Sequence, residues 1–340
     1  MALAGPVVGH LDPEFLGLLD STNELLRRVF GTTNALTLPI SGTGSAGMEA
    51  SFVNFVREGD PVVVGVNGVF GERMCEVATR SGAAVVRVDA PWGKPIDPER
   101  LLSAHPSPSI IAVVHAETST GVRNEVEAIG RAKGNALLLV DTVTSLGGID
   151  VAVDEWSVDI AYSGTQKCLG VPPGLSPLTV SSSALERRVE RPTSWYLDLN
   201  LLARYVLEGD GGRVYHHTAP VSMVAALHAG LGVLLEEGLQ EVQQRHAACG
   251  KELQAGLEAM GLELLVEPAY RLPQLTTVFV PPGVDEAACR RQLLSDYGIE
   301  IGAGAGQLAG RIWRIGCMGN TARRRNVVTL LAALKEVLGR

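Results

Sequence analysis

The sequence predicts an α/β protein with a mainly parallel, doubly wound sheet and a smaller C-terminal α+β domain. Three observations carry that expectation. Short apolar runs such as 62–66 (VVVGV) and 137–140 (LLLV) are strand-sized and lack polar alternation, as strands buried on both faces do. Segments with helical spacing separate them, as crossovers between parallel strands require. Beyond Glu237 the pattern shifts to long helices around few strands, so residues 1–237 are expected to form a large domain and 238–340 a small one.

Taken in order, Asp12 and Pro13 give an N-cap and first-turn signal. Phe15, Leu16, Leu19, Leu26 and Val29 recur at helical spacing, and Gly31 stops that helix. Strands follow at 36–40, 62–66, 84–88, 110–115, 137–140, 159–162 and 178–181. Helices fall between them at 45–56, 72–80, 98–104 and 126–133. The run 222–237 reads as a long helix and hinge element. The C-terminal part predicts helices at 240–260, 285–297 and 321–338, strands at 262–266, 276–280 and 311–315, and a glycine-rich loop at 301–310.

Composition bounds the function. The 340 residues are 46% hydrophobic, enough for a large core. Net charge is −8, and no Lys/Arg-rich run is interleaved with aromatics, which argues against a nucleic-acid partner. The basic cluster at 323–325 reads as a solvated helix start. No apolar run reaches membrane-spanning length, and the N-terminus lacks the basic and apolar regions of a signal peptide. The C-terminus is not a peroxisomal tripeptide. Five scattered cysteines without a C-x-x-C pair point to a reducing, cytoplasmic setting and no zinc site.

The chemistry centres on Lys167, in DIAYSGTQKCLGVPPG (159–174). A lysine where a buried strand ends can lose its water and become a better nucleophile. Asp141 closes another apolar run, in ALLLVDTVTSLGG (136–148). A nucleophilic amine and an acid to hold a pyridinium nitrogen are what pyridoxal phosphate needs. Alone, a strand-end lysine is more often structural, and Cys168 beside it reads as a packing residue.

Other segments add to this. SGTGSAGMEA (41–50) follows a strand and opens a helix, so its free N–H groups and the hydroxyls of Thr43 and Ser45 can cradle a phosphate. Its G-x-G-x-x-G also fits a dinucleotide fingerprint, but the next strand ends in Asn67 rather than an acid. In NGVFGER (67–73), Phe70 is read on a strand-to-helix loop, free to stack on a heteroaromatic ring or to pack in the core. In HAETSTG (115–121), Thr118 can reach a cofactor oxygen or close a turn. VYHHTAP (214–220) offers Tyr215, two histidines and Thr218; adjacent histidines on extended chain are expected on opposite faces, against a metal pair. Arg314, inside the apolar strand RIWRIG (311–316), needs an anion, either a substrate carboxylate or a structural salt-bridge partner.

Taken together, SGTG, ETSTG, LLLVDTVTSLGG, YSGTQKCL and YHHT in this order resemble the alanine–glyoxylate / serine–pyruvate aminotransferase family. These are class V pyridoxal-phosphate aminotransferases of fold type I, and the resemblance runs over nearly the whole chain. It implies that Lys167 carries the cofactor covalently and that Asp141 pairs with its pyridine nitrogen. Val143 and Phe70 would pack on the two ring faces, and Thr118 would contact the ring hydroxyl. Thr43, Gly44, Ser45 and Gln166 would bind the phosphate, with Tyr215 and Thr218 reaching it from the other subunit of a homodimer. Arg314 would hold the substrate carboxylate. The implied reaction is a ping-pong transamination from alanine or serine to glyoxylate or pyruvate. The alternatives are another class V enzyme, lyase or desulfurase-like, or a catalytically impaired homologue. The family's N-terminal arm, with its G-P-G-P-like turn, has no counterpart before MALAGPVVGH, which is expected to weaken substrate binding and the dimer.

Overall fold

A computed structural model describes residues 2–5, 7–207 and 212–339. Its strands are β1 (Leu36–Ser41), β2 (Pro61–Val66), β3 (Ala84–Asp89), β4 (Ile110–Val114), β5 (Ala116–Glu117), β6 (Val122–Arg123), β7 (Leu137–Asp141), β8 (Ile160–Tyr162), β9 (Leu175–Val180), β10 (Leu275–Phe279), β11 (Gly302–Ala303) and β12 (Ile312–Gly316). The α-helices are α1 (Pro13–Phe30), α2 (Gly44–Val53), α3 (Val69–Arg80), α4 (Pro98–Ser103), α5 (Val126–Ala132), α6 (Ser182–Glu186), α7 (Leu199–Val206), α8 (Val221–Glu237), α9 (Leu239–Ala259), α10 (Glu286–Tyr297) and α11 (Arg324–Val337).

The main sheet has the order β1-β9-β8-β7-β4-β2-β3. Strands β3, β2, β4, β7 and β8 run parallel, and only β9 runs against its neighbours β8 and β1. The expected parallel sheet is therefore interrupted by one reversed strand. Strands β4 and β7 are buried along their whole length, which explains their unbroken apolar sequence. Because β1 shares the direction of β8, the loops after β1, β2, β4, β7 and β8 all leave the same edge. In such sheets that edge is where ligands bind.

A second core forms around β10, β12 and β11, with Leu253, Leu257, Leu293, Trp313, Ile315 and Leu334 buried together. Helices α8 and α9 meet at an angle of 83° at Gly238, whose φ is +95°. Among the described residues no single helix is long and apolar enough to cross a membrane. All five cysteines are buried and free.

Three expectations need correction. Residues 262–266 do not form a strand; they make one bridge, Leu264 to Val278, flanked by hydrogen bonds from Phe279 N–H to the Glu263 carbonyl and from Leu265 N–H to the Thr277 carbonyl, before the chain bends at 265–266. The glycine-rich 301–310 is not wholly loop, since β11 pairs with β12. Phe70 is not on a loop but in the first turn of α3.

Candidate active site

The loops at the shared sheet edge bring the candidate residues together. Lys167 sits in a tight turn after β8. Gly170 N–H donates to the Lys167 carbonyl at 3.0 Å, and Val171 N–H donates to the Thr165 carbonyl at 3.0 Å. The lysine is half-buried, and among the described residues its Nζ has no hydrogen bond or ion pair. Burial, and secondarily the Arg314 guanidinium, holds its amine below the usual lysine range. The sequence's nucleophile is thus poised toward the neutral form. Cys168 is inert beside it: burial pushes its thiol up to about 12.

Asp141 ends β7 and is buried. Its Oδ1 accepts from Val143 N–H at 2.8 Å, and its Oδ2 accepts from the Tyr162 hydroxyl at 2.7 Å. Burial raises its carboxyl to about 6, against the opposing hydrogen bond from Tyr162. Val143 is the next side chain along, packed against the turn at Gly44 and Gly164. Thr118 is buried beside them, its hydroxyl 2.7 Å from that of Thr144.

The segment 41–50 leaves β1 and opens α2, as expected. Thr43 precedes α2 and its side chain does not cap the helix; its carbonyl accepts from Ala46 N–H at 2.7 Å, while no side chain caps the Gly44 and Ser45 N–H groups before it. A side chain at Gly44 would lie 3.0 Å from Val143 Cγ2, a tight contact, so glycine eases the start of the helix against Val143. Gln166 folds over Gly164, between that turn and the lysine. Arg73, from α3, lies 5.0 Å over the Phe70 ring and reaches Ser45 Oγ at 3.4 Å.

Arg314 arrives from the small sheet. Its Nε donates to the Ala303 carbonyl at 2.7 Å, and its Nη1 donates to the Thr118 carbonyl at 3.4 Å. Among the described residues it forms no salt bridge. The glycine-rich segment read as a loop therefore provides the edge that aligns this arginine, with Gly302 directly opposite it in register.

Two expected residues stand apart from this cluster. Tyr215 is 56% exposed and packs on His10. Thr218 is exposed as well. The histidines between them do not diverge as expected: His216 Nδ1 and His217 Nδ1 lie 2.9 Å apart, because the chain there is irregular rather than extended. His217 Nε2 meets Ser41 Oγ at 2.7 Å, which ties this segment to the end of β1.

Sequence reading missed two buried residues. Glu117 is fully buried and accepts four hydrogen bonds: from Ser119 N–H, the Ser119 hydroxyl, Phe70 N–H and Gly71 N–H. Burial nevertheless pushes its carboxyl up. Its presence among the hydroxyls of HAETSTG, at a strand end, was the available signal. Tyr162 was legible only as a strand residue.

The family model for aminotransferase class-V matches residues 4–314. The chain is 40% identical to the (S)-ureidoglycine–glyoxylate transaminase of Bacillus subtilis, over 99% of this chain and 86% of that protein. A solved alanine–glyoxylate aminotransferase from Nostoc sp. superposes with a TM-score of 0.95 at 48% identity, covering 99% of this chain and 90% of that one. The pyridoxamine–pyruvate aminotransferase of Mesorhizobium loti superposes with a TM-score of 0.91 at 29% identity, covering 99% and 88% of the two chains.

Proposed function

The chain belongs to the class V aminotransferase family, whose reaction is pyridoxal-phosphate-dependent transamination, and from that premise we propose that it moves an amino group from alanine or serine to glyoxylate or pyruvate. The single observation that carries the carboxylate-bearing substrate is Arg314. A half-buried guanidinium without an anionic partner is costly unless a ligand supplies the anion. Its planar fork suits a carboxylate in two-point contact, next to the free amine of Lys167.

The residues present fit the cofactor. The open first turn of α2, with Thr43, Gly44 and Ser45, and Gln166 beside it, would hold the phosphate. Val143 and Phe70 would lie on the two ring faces. Thr118 would meet the ring hydroxyl and Asp141 the ring nitrogen. Bound there, pyridoxal phosphate supplies an electron sink for charge developing at the substrate Cα. Lys167 would hold it through Nζ and, when that amine is free, would move the proton at the substrate Cα as base and then acid. Arg314 would hold the substrate carboxylate. The two substrates use the site in turn, which gives ping-pong kinetics.

Glyoxylate is named in both the Bacillus and the Nostoc relatives, while their donors differ. This supports glyoxylate as acceptor. The desulfurase-like alternative needs an accessible cysteine, and all five cysteines are buried. The exposure of Tyr215 and Thr218 supports a homodimer in which each reaches the partner's phosphate.

The test is turnover of the cofactor-loaded protein with glyoxylate or pyruvate against alanine, serine and ureidoglycine, with sedimentation run alongside. Alanine or serine should give pyruvate or hydroxypyruvate, and the cofactor should favour the dimer by mass action. Failure of every donor with either acceptor would end this reading, and a monomer holding cofactor at full occupancy would end the shared-site reading.

A further inference from the structure

We propose that Tyr162 is a positioning residue that keeps the Asp141 carboxylate ionised and aimed at the cofactor's ring nitrogen. The inference rests on the reading that Asp141 meets that nitrogen. Asp141 and Tyr162 end the parallel strands β7 and β8 and lie in direct register, so their side chains share a face. The hydroxyl donates to Asp141 Oδ2 at 2.7 Å, while Val143 N–H holds Oδ1 at 2.8 Å. Each carboxylate oxygen thus has one fixed donor and a lone pair left over.

The tyrosine itself cannot drift. Its carbonyl accepts from both the N–H and the hydroxyl of Thr142 at 2.8 Å. Helix α2 lies on its other side. A side chain at Gly47 would come within 3.0 Å of Tyr162 Cβ and 2.1 Å of Ser176 Oγ, so glycine there lets the helix rest directly on the tyrosine. One helix therefore presents its N-terminus to the phosphate and its flank to the residue that steadies the acid.

A purely packing role does not account for the hydroxyl. Tyr162 is fully buried, and a phenylalanine would fill the same space. Among the described residues Asp141 has no ion pair, and the buried carboxylate Glu117 nearby works against its charge. The Tyr162 hydroxyl is the largest influence opposing the effect of burial on Asp141. A hydrogen bond to a charged group in a dry site has the strength to decide which form prevails.

The experiment is a double-mutant cycle on the full chain, read by the dissociation constant of pyridoxal phosphate from fluorescence quenching. Tyr162→Phe should weaken binding about tenfold or more. Asp141→Asn should weaken it further, and adding Tyr162→Phe to Asp141→Asn should change it less than about twofold. The ring-nitrogen ¹⁵N shift of labelled bound cofactor should move toward the unprotonated value in Tyr162→Phe. Equal losses from Tyr162→Phe in both backgrounds, or none in the parent, would overturn the inference while leaving Asp141's own role intact. If Asp141→Asn alone leaves binding unchanged, the assignment of Asp141 fails, and the inference with it.

Discussion

The two ends of the active site are built on different terms. At the end made by the large sheet the two buried carboxylates are satisfied: Asp141 accepts two hydrogen bonds, Glu117 four, and Gly47 admits backbone where a side chain would meet Ser176 Oγ at 2.1 Å. The side that faces a substrate, Arg314 from the small sheet and Lys167 from the turn after β8, is left unsatisfied. Arg314 has two carbonyls for partners and no ion pair, with the Glu117 charge nearby but not bonded to it, and Lys167 Nζ has no partner among the described residues. A cofactor that stays bound calls for a rigid, complete cradle. A substrate that must enter and leave calls for charges that only it can complete.

That contrast can be broken at its most sensitive point by Lys167→Ala. The protein should fold, because a small uncharged residue suits this half-buried turn, but turnover should fall by on the order of 10⁴-fold. Circular dichroism and a coupled assay measure both. Wild-type turnover in the variant would remove the lysine from the chemistry.

Arg314→Lys sharpens the contrast. An ammonium does not reproduce the fork, so kcat/KM for both amino acid and oxo acid should fall by about 10²-fold while cofactor occupancy stays constant. Loss of cofactor with unchanged substrate affinity would move Arg314 to the other end of the site.

Glu117→Gln tests the satisfied end. The parent carboxylate is acceptor-only and faces four donors, whereas an amide turns N–H groups toward some of them. Urea unfolding should show a loss of about 2 kcal/mol. A variant as stable as the parent would mean that the network is slack.

A further effect concerns pH. Asp141 holds its proton to about pH 6 when folded, against 3.8 as the ordinary value. Between those values the folded state binds more protons, so this group's contribution to stability is complete below the lower value. It is lost as pH rises to about 6, by roughly 3 kcal/mol in the cofactor-free protein. The stability difference between parent and Asp141→Asn, from urea titrations at pH 4 and pH 7.5, should carry that slope. A difference that is flat with pH would contradict it.

Much of the candidate site was legible in the sequence. Apolar runs that stop at a single polar residue marked Asp141 and Lys167, and a glycine-rich turn after a strand marked the candidate phosphate cradle. These signals are local, since one stretch of chain makes both the strand and the group at its end. The residues missed act across the sheet. Tyr162 acquires its role only by lying in register with Asp141, and Glu117 by meeting the first turn of α3, which begins at Val69. The pairing of Ala303 with the Arg314 strand was hidden in glycines that carry no alternation to read. The position of His216 against His217 depended on an irregular backbone that residue type does not announce.

The buried cysteines turn the same contrast into a clock. Cys168 lies one residue from Lys167, and Cys289 lies in α10, in the second core. Burial pushes both thiols up, so thiolate is scarce at each while the fold is closed. A thiol reagent therefore reacts when a region opens rather than where it is exposed, and its two rates time the breathing of the two halves separately.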